Sequence, residues 1–151
     1  MIDRESRDRL ATATRRFAAG LISNDDLDDI DVDWRDRGAV AVKQMSWNLY
    51  SDTKQYYAQD EHRLTGETRQ RIARWIIFLH SDNEYLWPEY SFMQCEDWFM
   101  NLLTFGWWGK QQKLKWNEFL EAGDFSVWPY RSEEEFKEAI SHPRFFRGTG
   151  D

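Results

Sequence analysis

The sequence predicts an all-α fold in a single helical domain that spans residues 1–151. Apolar residues recur at spacings of three and four along several segments, helix-capping residues precede those segments, and glycine or proline follows them. The chain is long enough for one proper core, and its 41% apolar and 31% charged residues are typical of a globular protein. We therefore expect six or seven helices, with at most minor strand content near two Trp-Pro dipeptides.

The N-terminal segment predicts two consecutive helices. Apolar residues lie on one face from Asp3 to Ala19, and Gly20 follows where a left-handed residue commonly closes a helix. Ser23 and Asp26 then match a capping box with a shorter acid, so a short acidic helix is expected to begin there.

The middle of the chain predicts three helices, at about residues 36–50, 67–80 and 92–104. The segment 67–80 directs Ile72 and Trp75 inward and its arginines outward. The segment 92–104 is apolar nearly all round, which indicates a central position.

The C-terminal part predicts two more helices. Gly106 and Gly109 indicate a turn, and the next helix is expected at about residues 112–122. Ser132 and Glu135 match a full capping box, which is expected to open the last helix.

One aromatic pattern occurs twice. Five residues within 74–88 match five within 115–129 after a shift of 41 positions; they are Trp75, Phe78, Leu79, Trp87 and Pro88, which fall on Trp116, Phe119, Leu120, Trp128 and Pro129. We interpret the pattern as a structural device used twice, rather than as a duplicated functional unit. Proline forces an extended chain at the residue before it, so both Trp-Pro corners (Trp87-Pro88 and Trp128-Pro129) are expected to hold a buried tryptophan.

Composition and charge disfavour several classes of function. The net charge of -7 opposes binding to nucleic acid, because phosphate backbones are repelled. A single cysteine, Cys95, suits a reducing compartment, and its acidic neighbours make it a poor nucleophile. The charged N-terminus lacks the apolar segment of a secretory signal, and no apolar run is long enough for a membrane span. We expect a soluble, cytoplasmic protein.

The acidic run at residues 24–33 resembles a calcium site only at its start. Asp29, Asp31 and Asp33 have the spacing of the first ligands of an EF-hand loop. That loop then needs glycine and glutamate at positions where this chain has Trp34 and Val40. We therefore expect a solvated acidic helix start and no metal or cofactor.

The histidines and one group of carboxylates leave enzymatic alternatives open. His62, His80 and His142 show no paired ligand spacing, but a helical bundle could bring them together with Asp60 or Glu61. A small metal-dependent hydrolase is therefore the alternative function. Acids among aromatic rings also occur at sugar-processing sites, which is the pattern of Asp82, Glu84 and Glu89 around Tyr85 and Trp87.

The best candidate contact site is the pair Trp107 and Trp108, with Lys110 and Lys113 nearby. Adjacent side chains diverge in a helix, a strand or a turn, so one ring is expected in the core and the other at the surface. An exposed tryptophan with a basic rim suits contact with a protein. The sequence therefore favours a non-enzymatic interaction or accessory protein of bacterial type, such as an immunity protein, that binds a protein partner or a second copy of itself.

Overall fold

A computed structural model describes residues 1–49, 54–88 and 107–141, apart from the side chains at 107–110 and 112. This part of the chain contains six α-helices: α1 (Arg4–Ala18), α2 (Asn24–Asp28), α3 (Arg37–Ser46), α4 (Gly66–His80), α5 (Trp107–Glu121) and α6 (Glu133–Ser141). Short 3-10 helices lie at Trp47–Leu49, Asp60–His62 and Phe125–Val127. The predicted all-α class is confirmed, while the predicted helix at 92–104 lies outside the described residues.

The described residues contain essentially no strand, in agreement with the prediction of at most minor strand content. Within the described ranges, the extended pairing consists of one isolated antiparallel bridge between Ser23 and Tyr57, away from both Trp-Pro corners. It forms because the N–H of Asn24 donates to the carbonyl of Tyr56 at 3.0 Å, which ties the start of α2 to the chain before α4.

Local interactions close the helix ends of the N-terminal segment, and the predicted Gly20 stop and Ser23 capping box both form. Asp3 caps α1 by accepting from the backbone N–H of Ser6 at 2.9 Å, and Gly20 has a φ of 70°. Ser23 and Asp26 make the complete capping box: the serine hydroxyl accepts from the Asp26 N–H at 3.1 Å, and the aspartate accepts from the Ser23 N–H at 2.8 Å. These local hydrogen bonds fix where α1 ends and α2 begins.

The centre of the core lies where α1 packs against α4. Leu10 and Phe17 of α1 are fully buried, as are Ile72, Trp75 and Leu79 of α4 to within 1%. The three- and four-residue spacing of these side chains gives each helix one apolar face, and the two faces cover each other.

A buried ion pair joins α1 to the start of α3. The guanidinium of Arg7 donates to both carboxylate oxygens of Asp36, at 2.7 and 3.0 Å, and both side chains are only 1% exposed. Asp36 also accepts from the N–H groups of Gly38 and Ala39, while Arg7 donates to the carbonyl of Asn83 at 2.9 Å. One pair thus connects α1, the N-terminus of α3 and the chain that follows α4.

Both corner tryptophans are buried, as predicted, with exposures of 0% for Trp87 and 3% for Trp128. The indole N–H of Trp87 donates to the carbonyls of Pro129 and Tyr130, at 3.0 and 3.3 Å. The indole N–H of Trp128 donates to the hydroxyl of Tyr85 at 3.2 Å. Each corner therefore hydrogen-bonds to the chain segment that carries the other corner.

The ring of each corner tryptophan also packs against an aromatic residue from the other copy of the pattern. Trp87 packs against Phe119 of α5, with 4.7 Å between ring centres, and Trp128 packs edge-on against Trp75 of α4, with 6.1 Å between ring centres. The two copies of the pattern are not equivalent, however, because Leu79 is fully buried and its counterpart Leu120 is 38% exposed. This reciprocal packing agrees with the interpretation of the pattern as a structural device.

The predicted boundaries of α5 are wrong at its start. The sequence places a turn at Gly106 and Gly109 and a helix at 112–122, whereas α5 already begins at Trp107 and runs through Gly109. The first N–H groups of any helix lack a helical partner, and glycine within a helix costs only about 1 kcal/mol relative to alanine. Gly109 is therefore tolerated in the first turn. The predicted stop at Gly123 agrees with the end of α5 at Glu121.

The cap of α6 differs in one detail from the predicted box. Ser132 accepts from the N–H of Glu135 at 3.3 Å, as expected. The carboxylate of Glu135, however, accepts from the N–H of Arg131 at 2.9 Å, one residue earlier than the capping-box pattern implies. The start of the last helix is thus correct, and its capping interaction extends into the chain after Pro129.

Candidate functional site

One side of α5 is fixed to the protein by aromatic packing. Phe119 is fully buried, and Trp116 stacks on it with 5.6 Å between ring centres and an angle of 10°. Phe125 packs edge-on against both rings, and Trp87 covers Phe119 from the other side. This cluster defines the inner side of α5.

The opposite side of α5 is exposed. The α5 outer face, as we name it, consists of Lys113, Leu114, Asn117 and Glu121, all of which are exposed. Leu114 has 56% of its surface accessible and lies between two exposed lysines, Lys113 and Lys115. Among the described residues, Leu114 and its flanking lysines are exposed, while the aromatic anchor lies on the inner side of α5.

The predicted contact residues all lie on this one helix. Trp107, Trp108 and Lys110 form its first turn, although their side chains are outside the described part of the chain. Lys113 is exposed, as a contact residue must be. The sequence reading missed Leu114, which has no motif around it and becomes notable only once the inner side of α5 is known.

The two described histidines each contact a carboxylate. The Nδ1 atom of His80, at the end of α4, lies 3.4 Å from Asp8. Burial lowers the pKa of His80 below its ordinary value, although Asp8 opposes that shift. The Nε2 atom of His62 lies 3.3 Å from Glu61. Among the described residues no three His, Cys, Asp or Glu side chains form a group that could hold a metal, and His142 lies outside them.

The aromatic residues near the carboxylates at 82–84 point into the core. Tyr85 is 8% exposed and Trp87 is fully buried, so neither offers an open ring face to a sugar. Burial raises the pKa of Tyr85 to about 12. Asp82 accepts instead from the guanidinium of Arg4 at 3.1 Å, and Glu89 lies beyond the described segment. In the described part of the chain, Tyr85 and Trp87 are therefore packing residues.

An exposed aromatic residue directly follows the acidic run. Trp34 exposes 77% of its surface, and the guanidinium of Arg35 lies over its ring at 5.3 Å from the centre. The sequence reading treated Trp34 only as the residue that breaks the EF-hand pattern. The sequence feature that could have indicated its exposure is the tetrapeptide Asp-Trp-Arg-Asp, in which the tryptophan has no apolar neighbour.

Comparisons with protein-family models, with curated proteins and with solved structures found no match. Within residues 1–49, 54–88 and 107–141, no helix combines the length and the apolar character needed to cross a membrane.

Proposed function

We propose that this protein is a non-enzymatic interaction protein that binds a protein partner, or a second copy of itself, through the α5 outer face. The observation that carries the proposal is the course of α5: the helix begins at Trp107 and exposes Leu114 on the side opposite its aromatic anchor. A helix that is anchored on one side can present the other as a preformed contact surface.

The helical register of α5 predicts the side of the helix on which each tryptophan of the pair lies. Positions 107 and 114 are seven residues apart, about two turns, and therefore share one side of α5. Positions 108 and 119 are eleven residues apart, about three turns, so position 108 shares the side of the buried Phe119. We therefore assign Trp107 to the outer face and Trp108 to the inner side.

The chemistry of the face supports contact with a protein. Tryptophan is the residue type most enriched at the energetic centres of interfaces, and leucine extends the apolar area beside it. Lys110 and Lys113 add positive charge beside these apolar residues in a protein whose net charge is -7, and such charges favour contact with acidic groups of a partner. The function we propose is that of a cytoplasmic accessory protein, of the kind that includes immunity proteins.

The test is a double variant, Lys113→Glu with Leu114→Asp, which reverses the chemistry of the outer face without touching Phe119. Both residues are exposed, so the melting temperature should change little. Mass in solution and affinity capture from source cells should show a loss of self-association, or of a captured protein, of about tenfold or more.

A matched control is Arg63→Glu with Leu21→Asp, which makes the same change of charge and of apolar area at two other exposed positions. This pair should leave association unchanged. The proposal is wrong if the parent protein neither self-associates nor captures a protein, or if both double variants reduce binding equally.

A further inference from the structure

Trp34 is the most exposed of the large apolar side chains that the structure describes. It stands in the turn between α2 and α3. An indole ring that is 77% exposed contributes little to the core, so core packing does not account for it. Exposed tryptophan surrounded by polar residues is characteristic of binding sites.

The turn that carries Trp34 is fixed at both ends. The N–H of Asp33 donates to the hydroxyl of Ser6 in α1 at 2.9 Å, and the N–H of Asp36 closes the turn onto the carbonyl of Asp33 at 3.0 Å. Asp36 itself belongs to the buried pair with Arg7. The backbone that carries the ring is therefore fixed before any partner arrives, which reduces the entropy lost on binding.

The chain before the turn alternates between buried and exposed side chains. Ile30 and Val32 pack partly against the core, while Asp29 and Asp31 are exposed. Two other acids nearby have cationic partners, since Lys43 pairs with Asp28 and Arg7 pairs with Asp36. Neither Asp29 nor Asp31 makes an ion pair with another described residue. Two uncompensated carboxylates thus lie on the outer side of the segment that leads to the ring.

The contacts of Arg35 indicate which kind of chemical group can bind to the Trp34 ring. Its guanidinium lies 5.3 Å from the centre of the Trp34 ring, and its Nη1 atom is 4.0 Å from a carboxylate oxygen of Asp33. A guanidinium is attracted to the electron-rich face of an indole and can pair with a carboxylate at the same time. One arginine of this chain already makes both interactions on one face of the ring.

We propose that Trp34, with Asp29, Asp31 and Asp33, forms a docking surface for a basic, arginine-containing segment of a partner protein. One arginine of that segment stacks on the ring, and its other cationic side chains pair with the carboxylates. The net charge of -7 attracts such a segment at long range and repels acidic ones. This proposal rests on residues that do not belong to the α5 outer face, and its test uses different variants.

The experiment measures binding of a short fluorescein-labelled peptide of alternating arginine and glycine by fluorescence anisotropy at low salt. Trp34→Ala should raise the Kd by about tenfold, as expected for a hot-spot residue. Trp34→Leu keeps apolar bulk without the aromatic face and should weaken binding nearly as much. Asp29→Asn with Asp31→Asn should also raise the Kd and should make binding less sensitive to salt.

Controls separate this site from general attraction to an acidic protein. Glu84→Gln with Glu138→Gln removes two exposed carboxylates elsewhere and should change the Kd by less than about twofold. A matched lysine-glycine peptide should bind more weakly, because lysine lacks the planar guanidinium. Melting curves should show that every variant remains folded.

Three results would overturn the proposal. The first is a Trp34→Ala variant that binds the arginine peptide as the parent does. The second is a control pair that weakens binding as much as the Asp29 and Asp31 pair. The third is a change in mass in solution on Trp34→Ala without any effect on the peptide, which would identify a second copy of this chain as the occupant.

Discussion

The start of α3 and the inner side of α5 are attached to the rest of the protein by different chemistry. The start of α3 is fixed by the buried pair of Arg7 and Asp36, which satisfies backbone N–H groups of α3 as well as the two charges. The inner side of α5 is fixed by rings, chiefly Phe119, which packs against Trp87 and against Trp116. Hydrogen bonds between charged groups demand one geometry, whereas ring contacts supply buried area with looser orientation.

The difference indicates why a contact surface suits α5. The polar groups around Asp36 are hydrogen-bonded to one another. A substitution there is therefore expected to disturb α1, α3 and the chain after α4 together. On α5, the aromatic anchor lies on the inner side, and the described residues of the outer face are exposed. Residues such as Leu114 can therefore be replaced without loss of the fold, which is the freedom that a binding surface needs.

The largest expected effect lies at the polar attachment. Asp36→Ala removes one partner of a buried ion pair and the cap of α3, so we expect a loss of about 5 kcal/mol in the free energy of unfolding. Chemical denaturation measures it. The matched control is Glu5→Ala, which breaks an exposed pair with Arg9 and should cost less than about 1 kcal/mol. Equal losses for the two variants would contradict the importance of the buried pair.

The aromatic attachment should be nearly as sensitive. Trp87→Ala and Trp128→Ala each delete a large buried ring and its indole hydrogen bonds, with an expected cost of roughly 3–5 kcal/mol. Denaturation curves of both variants test this. If both lose less than about 1 kcal/mol, the Trp-Pro corners are not structural and the comparison between the two regions fails.

Acid should weaken the polar attachment selectively. Burial alone would raise the pKa of Asp36, but the hydrogen bonds and positive charge of Arg7 hold that pKa below its ordinary value of 3.8. The stabilisation is therefore present above about pH 4 and is lost as pH falls through the lowered pKa. Unfolding measured from pH 5 to pH 2 should show a steeper loss in the parent than in Asp36→Asn. If the parent and Asp36→Asn lose stability equally as the pH falls, Asp36 is not the cause of the acid sensitivity.

The smallest expected effect is that of calcium. The acidic run at residues 24–33 lacks the later ligands of an EF-hand loop, so calcium should leave the melting temperature unchanged. A ligand that binds the native state at about a hundredfold excess over its Kd would stabilise it by about 2.7 kcal/mol. An upward shift with calcium, absent with magnesium or added salt, would contradict this expectation.

Local chemistry was predictable from the sequence, and long-range pairing was not. The box of Ser23 and Asp26 was found because the two residues are three positions apart and make their bonds to each other. Arg7 and Asp36 are 29 positions apart, so no spacing rule links them. The start of α5 was missed because two glycines suggested a turn, while the packing of Phe119 and Trp116 favours a longer helix.

The same distinction applies to the candidate surfaces. The tryptophan pair at 107 and 108 was noticeable as a motif, and the exposure of Lys113 agrees with a contact role. Which tryptophan faces outward depends on the helical register of α5, and that required the observed start of the helix. Trp34 was overlooked because exposure is a property of the folded chain and not of the letters around it.

The most direct test of the proposed function compares Trp107→Ala with Trp108→Ala for stability and for mass in solution. Position 108 shares the side of Phe119, so Trp108→Ala should lose roughly 3–5 kcal/mol of unfolding free energy. Trp107→Ala should stay within about 1 kcal/mol of the parent and should weaken self-association or partner binding. If both variants unfold equally and neither changes association, the tryptophan pair is part of the core and the α5 outer face is not the binding site.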